Sequence, residues 1–478
     1  MPPVDHECSL QGFVSQLADR LAKLEHENAQ LKKALFGKKS ERGKLPRVKV
    51  AAPATPEQKT ATRRARAEAK TQTPTLQIPH KVPDALRRCT ACGNVNLRPM
   101  GPGKSTFVWE FVPAKFVRHE HVQEVLRCPC GGCIITAPGA PKVVEKGQYG
   151  ASFLAHLAVA KCADHLPIYR LEKEFARNGA PIARSTMNEL LHRASALLAP
   201  VWTRLLDVIR ARDVVLADET RLRILKDASG KPKTGFVWTF GAADTKGGFD
   251  VAYQFADSRS GATPKALLEG SSGVLLVDGY SGYNDIEKIS SRRRAACHAH
   301  VRRYFFDSLK TAPVAQEALD LITALYRVEH DANEGQLSKA AHLALRKQRA
   351  GPIRERFKRC LAEQRERHPP KSPLGVAIRY TLGQWDELGV FLRDARVPLD
   401  NNASERSLRR IALGRKNYLF VGDAASGRSL VGLYSLVATC ESRGINPFDY
   451  LADVLARVQD HPANAVDELL PAAWAAAR

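Results

Sequence analysis

Four short apolar runs in the middle of the chain constrain its fold more than any other feature. In chain order they are VVLADET, GFVWTFGAAD, FDVAYQFADS and GVLLVDGY. Glycine-containing turns such as Ser229-Gly230 and Gly247-Gly248 separate the first three runs. Short apolar runs bounded by turn residues predict β-strands. Three strands joined as hairpins and then a further strand predict an α/β sheet.

Two acidic residues occupy corresponding places in this pattern. Asp218 follows the apolar part of the first run, and Asp278 follows that of the fourth. A carboxylate at the end of a buried strand is costly to leave unpaired, and two on neighbouring strands repel each other unless a cation lies between them. A divalent metal would resolve both problems. An ordinary turn-forming aspartate is the alternative for either residue, and Glu219 and Asp257 are the alternative site acids.

Glu405, far along the chain, is the third acid of interest. It lies in the segment DNNASERSLRR, where Asp400, Asn401 and Asn402 supply turn and N-cap chemistry for a helix. Several arginines accompany Glu405 on that helix. An acid beside arginines suits a site that holds DNA phosphates, whereas a helix-surface glutamate in salt bridges is the alternative.

Residues 8–37 have the heptad spacing of a leucine zipper. The d positions are Leu10, Leu17, Leu24 and Leu31, and the a positions are Val14, Leu21, Asn28 and Leu35. Such a repeat predicts a coiled coil, and an asparagine at a core a position favours a parallel two-stranded register. We therefore expect a homodimer or higher oligomer. A lone amphipathic helix packed on the protein's own body is the alternative.

The chain is strongly basic, because 73 lysines and arginines outnumber 50 aspartates and glutamates and give a net charge of +23. A surplus of this size fits a polyanionic partner but carries no sequence specificity. Residues 38–78 are basic, contain several prolines and have few large apolar side chains. This composition predicts a linker that cannot bury a core. The linker is either a phosphate-binding arm or a solvated tether.

Clustered cysteines indicate a zinc-finger domain over residues 79–140. Two CxxC pairs, Cys89 with Cys92 and Cys130 with Cys133, offer the four thiolates that structural zinc prefers. Cys128 is a competing ligand. Further candidate ligands are His119 and His121. Unmetallated buried cysteines are the alternative.

Residues 141–205 have a helical pattern. Asn178-Gly179 is a helix stop, and Pro167 breaks the segment before it into two pieces. Thr186 and Glu189 predict a capping box for the next helix. The region is either a helix-turn-helix that binds DNA or a plain helical hairpin.

Five segments, taken together, resemble the DDE transposases of the insertion sequence sixty-six (IS66) family over nearly the full length of the chain. In chain order they are KCADHLPIYR, ADETRLRIL, VDGYSGYN, CHAHVRRYFFD and PLDNNASERSLRRIALGRKNYLF. The resemblance implies an active site of three acids, with Asp218 first, Asp278 second and Glu405 third. It also implies a zinc-binding domain over Cys89, Cys92 and the second cysteine cluster, although this chain has three cysteines there and the family pattern has two.

The resemblance also suggests how the rest of the chain is divided. The strand pattern matches the start of an RNase H-like α/β core, which we place over residues 206–302. A helical insertion over 303–392 separates this part from the helix of Glu405, within 393–435, and a helical segment over 436–478 ends the chain. Cys297 and His300 have metal-binding spacing, but we favour a structural role in the sheet-to-helix corner.

The chemistry that the resemblance implies is metal-dependent cleavage and strand transfer of DNA during transposition. The three acids would bind two Mg²⁺ or Mn²⁺ ions, and a Zn²⁺ ion would be structural. Candidate phosphate contacts are Arg406, Arg409, Arg415 and Lys416. The alternatives are an RNase H-like nuclease without strand transfer and a non-catalytic DNA-binding regulator built on a zinc finger and a leucine zipper.

The expected partners are double-stranded DNA and proteins. The DNA would comprise transposon terminal inverted repeats and target DNA, and the resemblance suggests small accessory proteins of the element. No apolar run approaches the ~20 residues that span a bilayer, and the polar N-terminus does not resemble a signal peptide. We therefore expect a cytoplasmic, nucleoid-associated bacterial protein without membrane contact.

Overall fold

A five-stranded mixed sheet lies at the centre of the protein. The computed structural model describes residues 116, 117, 119, 124–127, 134–136, 143, 147–225 and 230–478. The strands are β1 (Val125–Arg127), β2 (Ile134–Thr136), β3 (Val214–Ile224), β4 (Lys233–Ala243), β5 (Phe249–Ala256), β6 (Ser272–Val277) and β7 (Ser291–Ala296). The large sheet has the order β5-β4-β3-β6-β7. The first three of its strands along the chain pair antiparallel, and β6 and β7 run parallel to β3. The predicted α/β class is confirmed.

Helices surround this sheet. They are α1 (Ala151–Cys162), α2 (Ile168–Arg177), α3 (Arg184–Leu197), α4 (Ala199–Arg210), α5 (Ala262–Leu268), α6 (Ile286–Ile289), α7 (His298–Ser308), α8 (Ala315–Glu334), α9 (Lys339–Leu345), α10 (Gly351–Arg367), α11 (Pro373–Leu382), α12 (Asn402–Tyr418), α13 (Ala424–Ser442), α14 (Pro447–Arg457) and α15 (Pro471–Ala476). Short 3-10 turns cover Ser281–Tyr283, Glu387–Leu392 and Ala463–Leu469, and a π turn covers Arg346–Ala350.

Strand β3 is longer than its apolar run predicts. Asp218 does not end the strand, because antiparallel pairing with β4 continues to Ile224. On the other side, however, parallel pairing with β6 stops at Leu216. The residues after Leu216 therefore form one edge of the antiparallel β3-β4-β5 part of the sheet, and Asp218 lies just past the end of its parallel neighbour.

The helical region before the sheet follows part of the prediction. Pro167 is the N-cap of α2 and separates it from α1, as expected. The predicted capping box is wrong, because α3 begins at Arg184 with Ala183 as its N-cap, so that Thr186 lies inside the helix. Glu189 instead forms an ion pair with Arg193 one turn later, a common arrangement on an exposed helix surface.

Helix α13 covers the edge of the sheet that β5 forms. The Ser435 hydroxyl accepts a hydrogen bond from the Tyr253 amide at 2.8 Å. The Thr439 hydroxyl accepts from the Val251 amide at 3.0 Å and donates to the Val251 carbonyl at 2.8 Å. An uncovered edge strand would leave these backbone groups free to pair with another chain. α13 also runs through the boundary predicted at residue 435.

The segment predicted as a helical insertion, residues 303–392, is helical, although α7 begins before it at His298. Apolar side chains of α7, α8, α10 and α11 pack into a core of their own. A further apolar cluster joins these helices to the face of the sheet that carries Leu216 and Leu276. The helices that lie between β7 and α12 in the sequence are therefore packed against the sheet.

Several predictions lie outside the described residues. These are the coiled coil over 8–37, the linker over 38–78, and the ligand candidates Cys89, Cys92, Cys128, Cys130, Cys133 and His121. Strands β1 and β2, which flank the second cysteine cluster in the sequence, pair antiparallel. Among the helices that the structure describes, none has the length and apolarity needed to cross a bilayer.

Candidate functional site

Asp218, within β3, and Asp278, directly after the end of β6, lie next to each other. Val214 pairs with Val274 and Leu216 with Leu276, and two residues further along each strand come Asp218 and Asp278. Neighbouring strands are ~4.8 Å apart, so the register places the two aspartates next to each other. Both side chains are half-buried. Two carboxylates therefore share the carboxyl-terminal edge of β6.

Asn401 brings the helix of Glu405 to the same place. Its side-chain amide donates a hydrogen bond to the Ala217 carbonyl at 2.7 Å, and its backbone amide donates to Cys297 Sγ at 3.2 Å. Asn401 is fully buried and is the N-cap of α12, but its side chain does not cap the helix. The first turn of α12, which carries Glu405, is thus attached to the residue before Asp218.

The electrostatics of Asp218 reflect this convergence. Burial raises the pKa of Asp218 to about 7; the Glu219 amide acts against this shift, and the charges of Glu219, Asp278 and Glu405 add to it. The Glu219 amide donates to Asp218 Oδ1 at 2.8 Å. Three acids from β3, the end of β6 and α12 therefore act on one another in a partly buried place.

The backbone around Asp278 is held by several groups. The Tyr280 amide donates to Asp278 Oδ1 at 2.9 Å. Arg294 donates to the Asp278 carbonyl at 3.1 Å, and the Gly279 amide donates to the Tyr380 hydroxyl at 3.2 Å. Tyr380 belongs to α11, so the helices between Asp278 and Glu405 help to position the loop of the second aspartate.

Glu219 and Asp257, the alternative site acids, have other environments. The Glu219 side chain is only 2% exposed; Arg259 Nε donates to it at 2.7 Å and the Tyr283 hydroxyl at 2.9 Å. Burial raises the pKa of Glu219 in spite of these bonds. Asp257 is exposed in the loop after β5. Glu219 therefore forms an internal ion pair beside the three acids.

Cys297 and His300 also come close to Glu405. Their candidate ligand atoms and a Glu405 carboxylate oxygen all lie within 4.8 Å of one another. Burial raises the pKa of the Cys297 thiol to about 12, and the sulfur accepts the Asn401 amide, which fits a role in the corner of the fold. His300 Nδ1 is 3.7 Å from Glu405 Oε1 and has no hydrogen-bond partner among the described residues.

A basic face of α12 extends away from Glu405. Arg406, Arg409 and Lys416 are exposed, whereas Ser407, Leu408 and Ile411 are buried against the body of the protein. At 100° per residue, Arg409 and Lys416 lie within about 40° of Glu405 around the helix axis. Arg409 and Lys416 therefore lie in line with Glu405 along the helix, and Arg406 lies about 100° around the axis from it.

Arg415, the other candidate phosphate contact, is engaged within the protein. One of its terminal nitrogens donates to the Thr220 hydroxyl at 2.9 Å and to the Arg221 carbonyl at 2.6 Å. These bonds attach the end of α12 to β3. Arg415 therefore holds the helix against the sheet, a role that its position in the sequence did not indicate.

The three carboxylates are ligands of the type that a divalent cation binds, although the group whose ligand atoms all lie within 4.8 Å of one another in the described residues is Cys297, His300 and Glu405. They come from three separate elements, are only partly exposed, and repel one another at Asp218, whose charged form is disfavoured by burial and by its neighbours. A bound cation would stabilise all three charges at once. Oxygen ligands of this kind are those preferred by Mg²⁺ and Mn²⁺.

Comparisons with known proteins show to which family the chain is related. The model of the Transposase IS66 family matches residues 146–429, the IS66 C-terminal element matches 435–472, and the zinc-finger binding domain of transposase IS66 matches 87–131. The uncharacterized protein y4jD of Sinorhizobium fredii is 32% identical over 405 residues, 82% of this chain and 78% of that protein. The uncharacterized protein y4hP of the same organism is 31% identical over 408 residues, 81% of this chain and 73% of that protein. The match to the Transposase IS66 family model, over residues 146–429, contains Asp218, Asp278 and Glu405.

Proposed function

The chain belongs to the IS66 transposase family, and from this premise we propose that it is a DDE transposase that cuts transposon ends and joins them to target DNA. The observation that supports the proposal is that Asp278, after the end of β6, and Glu405, on α12, both act electrostatically on the partly buried Asp218 of β3.

We further propose that the catalytic core is RNase H-like. The sheet order supports this, because three antiparallel strands are followed by two that run parallel to the first. The acids lie at the carboxyl edge of the central parallel pair, where open α/β sheets commonly place their sites. Residues 303–392 would then be an insertion between the second and third acids.

Asp218, Asp278 and Glu405 would hold two Mg²⁺ or Mn²⁺ ions, which supply activation of the attacking oxygen and stabilisation of the leaving oxygen. In the first step, water attacks a phosphorus at the transposon end and the bond to the 3′ oxygen breaks, leaving a 3′-OH. In the second step, this 3′-OH attacks a phosphorus of target DNA, a new P–O bond forms, and the target's 3′ oxygen leaves and is protonated. Neither step needs a covalent enzyme intermediate.

The DNA contacts that we propose are Arg406, Arg409 and Lys416, with Arg415 attaching their helix to β3. Zn²⁺ in the zinc-finger domain would be structural, held by Cys89, Cys92 and two cysteines of the second cluster. The zinc-finger match ends at residue 131 and so includes Cys128 but not Cys133. Cys128 therefore stays an alternative ligand to Cys133. Terminal inverted repeats, target DNA, a second copy of the chain and accessory proteins are the proposed partners.

The acid triad is tested by replacing one carboxylate at a time with its amide. We expect Asp218→Asn, Asp278→Asn and Glu405→Gln each to lower Mg²⁺-dependent cleavage of labelled terminal-repeat duplex at least 1000-fold, because the charge that binds the cation is lost. Binding of the same duplex should stay within about threefold of the unmodified protein. Cleavage is measured by denaturing gel and binding by fluorescence anisotropy.

The matched control is Asp257→Asn, which removes an exposed carboxylate from the loop after β5 and should leave cleavage unchanged. Normal cutting by any triad variant would remove that residue from the site. Cutting without joined products would favour a nuclease without strand transfer. Metal-independent binding that no acid substitution affects, with no cutting by the unmodified protein, would favour a non-catalytic regulator.

A further inference from the structure

Arg259 is a charged residue near the acids that lies outside the strands and outside the helix of Glu405. It lies in the loop between β5 and α5. Its Nε donates to Glu219 Oε1 at 2.7 Å, and its guanidinium carbon stands 4.0 Å from the centre of the Tyr280 ring. The Tyr280 hydroxyl donates to the Arg259 carbonyl. The side chain and the backbone of Arg259 are therefore both fixed.

The carboxylate that fixes Arg259 is buried. Glu219 is 2% exposed, whereas the Arg259 side chain is 45% exposed. A buried carboxylate is costly unless it is paired and hydrogen-bonded, and Tyr283, itself fully buried, supplies a further hydrogen bond to it. The pair thus has one end in the protein interior and a cationic end that solvent, or a ligand, can reach.

The position of this cation relates it to the site. Successive side chains of a strand point to opposite faces, so Glu219 and Asp218 face opposite sides of β3. Tyr280, which stacks on Arg259, also donates its amide to Asp278. Burial lowers the pKa of Arg259, but the hydrogen bond and charge of Glu219, followed by Tyr280 and Asp278, raise it overall. Arg259 therefore lies close to Asp278, to which Tyr280 links it.

We infer that Arg259 is a substrate-binding residue whose guanidinium contacts a DNA phosphate at or beside the bond to be cut. This inference rests on the proposed function, since it takes DNA as the ligand. The basic face of α12 and Arg259 then bind the same DNA at separate points around the three acids. A guanidinium already held by a carboxylate and an aromatic ring loses little side-chain freedom when it binds phosphate.

The test distinguishes the loss of the Arg259 charge from a loss of folding. Arg259→Gln alone would leave Glu219 buried without its partner, so Arg259→Gln is combined with Glu219→Gln, which can hydrogen-bond to each other. The matched control combines Arg204→Gln with Asp467→Asn. Arg204 donates to both carboxylate oxygens of Asp467 and its side chain is 41% exposed, but it joins α4 to the C-terminal 3-10 turn. Both double variants are compared by thermal unfolding.

The measurement is the Kd for terminal-repeat duplex in Ca²⁺, so that binding is read whether or not the protein cuts DNA. We expect the Arg259 double variant to bind about 10- to 100-fold more weakly, the value of a charge-assisted hydrogen bond. Three further duplexes each carry one neutral methylphosphonate, at the cut position or one nucleotide to either side of it. On one of these three duplexes, the Kd values of the double variant and the unmodified protein should become equal. The control double variant should bind every duplex like the unmodified protein.

The inference is overturned if the Arg259 double variant and the unmodified protein have equal Kd values for the fully charged duplex. It is also overturned if the double variant binds all three methylphosphonate duplexes more weakly by the same factor. Arg259→Lys provides a second check, because it keeps the charge and should recover part of the affinity. Cleavage by Asp218→Asn is measured in parallel. If the unmodified protein cuts and Asp218→Asn does not, the proposed function stands whatever Arg259 does.

Discussion

Asn401 is the residue that joins two parts of the site that are far apart in the sequence. Its side chain bonds to the residue before Asp218, and its backbone bonds to Cys297 at the start of α7. Its own carbonyl oxygen Oδ1 is buried without a hydrogen-bond partner in the described structure. A buried polar group in this state is costly, so the position of Asn401 is determined by the bonds that it does make, which are these two and the one that its backbone carbonyl accepts from the Glu405 amide at 3.2 Å.

Replacing Asn401 should therefore lower both the cleavage rate and the stability of the fold. We expect Asn401→Ala to lower the cleavage rate about 10- to 100-fold, because the start of α12 loses its attachment to β3 and Glu405 shifts. The unpaired Ala217 carbonyl should also lower the free energy of unfolding by about 1–3 kcal/mol. Asn402→Ala, at the next residue, is the control and should change neither. Single-turnover kinetics with saturating enzyme measure the first effect and urea unfolding the second; unchanged kinetics for Asn401→Ala would contradict the proposed attachment.

The raised pKa of Asp218 predicts how stability depends on pH when metal is removed. Since the folded-state value is about 7 and the ordinary value is 3.8, the folded protein binds this proton more tightly than the unfolded chain. The stabilisation is fully present below pH 4 and is lost as the pH rises through 7. In chelator, we expect Asp218→Asn to unfold at a higher temperature than the unmodified protein at pH 8, and at nearly the same temperature at pH 4. Adding Mg²⁺ at pH 8 should narrow the gap; an equal gap at both pH values would argue against the shift.

At the scale of elements, the site could be predicted where the signal was local. The apolar runs before Asp218 and Asp278 predicted two strands, and turn residues before Glu405 predicted a helix start. The Arg259–Glu219 pair and the bond from Asn401 to Ala217 could not be predicted, because each joins residues far apart in sequence whose partner choice depends on the packed fold. The capping box at Thr186 failed for a related reason: a short motif fits several helix starts, and the surrounding contacts select one.

Helix α12 gives the element-scale prediction, since its exposed face carries the proposed phosphate contacts. If Arg406, Arg409 and Lys416 each neutralise one phosphate, replacing any one with glutamine should lower the slope of log Kd against log salt concentration by about 0.9. The loss should be similar for specific and random duplex, because phosphate contacts carry no sequence information. Arg457→Gln removes the same charge from α14, where Arg457 pairs with Asp453, and should leave the slope unchanged. Anisotropy titrations at several salt concentrations measure these slopes, and an α12 variant with the slope of the unmodified protein would lose its place among the contacts.

At the scale of the whole molecule, the proposed function requires two DNA ends to be brought together in one transposition event. With one proposed triad of acids in each chain, concerted joining of two ends would require at least two chains. The heptad repeat over residues 8–37, outside the described residues, is the part of the sequence best suited to hold them together. Asn28 at an a position favours a pair over larger assemblies. Assembly and catalysis would then be encoded in separate parts of the chain.

This separation predicts that the zipper can be broken without damage to single-end cutting. Leu17→Asp combined with Leu24→Asp places charges at two d positions, and we expect the protein to become monomeric by light scattering because a buried aspartate pair disrupts the coil. Gln16→Asp combined with Gln30→Asp adds the same charge at outward-facing c positions and should leave the oligomer intact. The monomer should cut an isolated end at a rate within about threefold of the unmodified protein, yet yield few products in which both ends are joined to one target. If the core variant kept its oligomeric state, the active assembly would have to be held by another surface, and if it lost single-end cutting as well, each triad would depend on the partner chain.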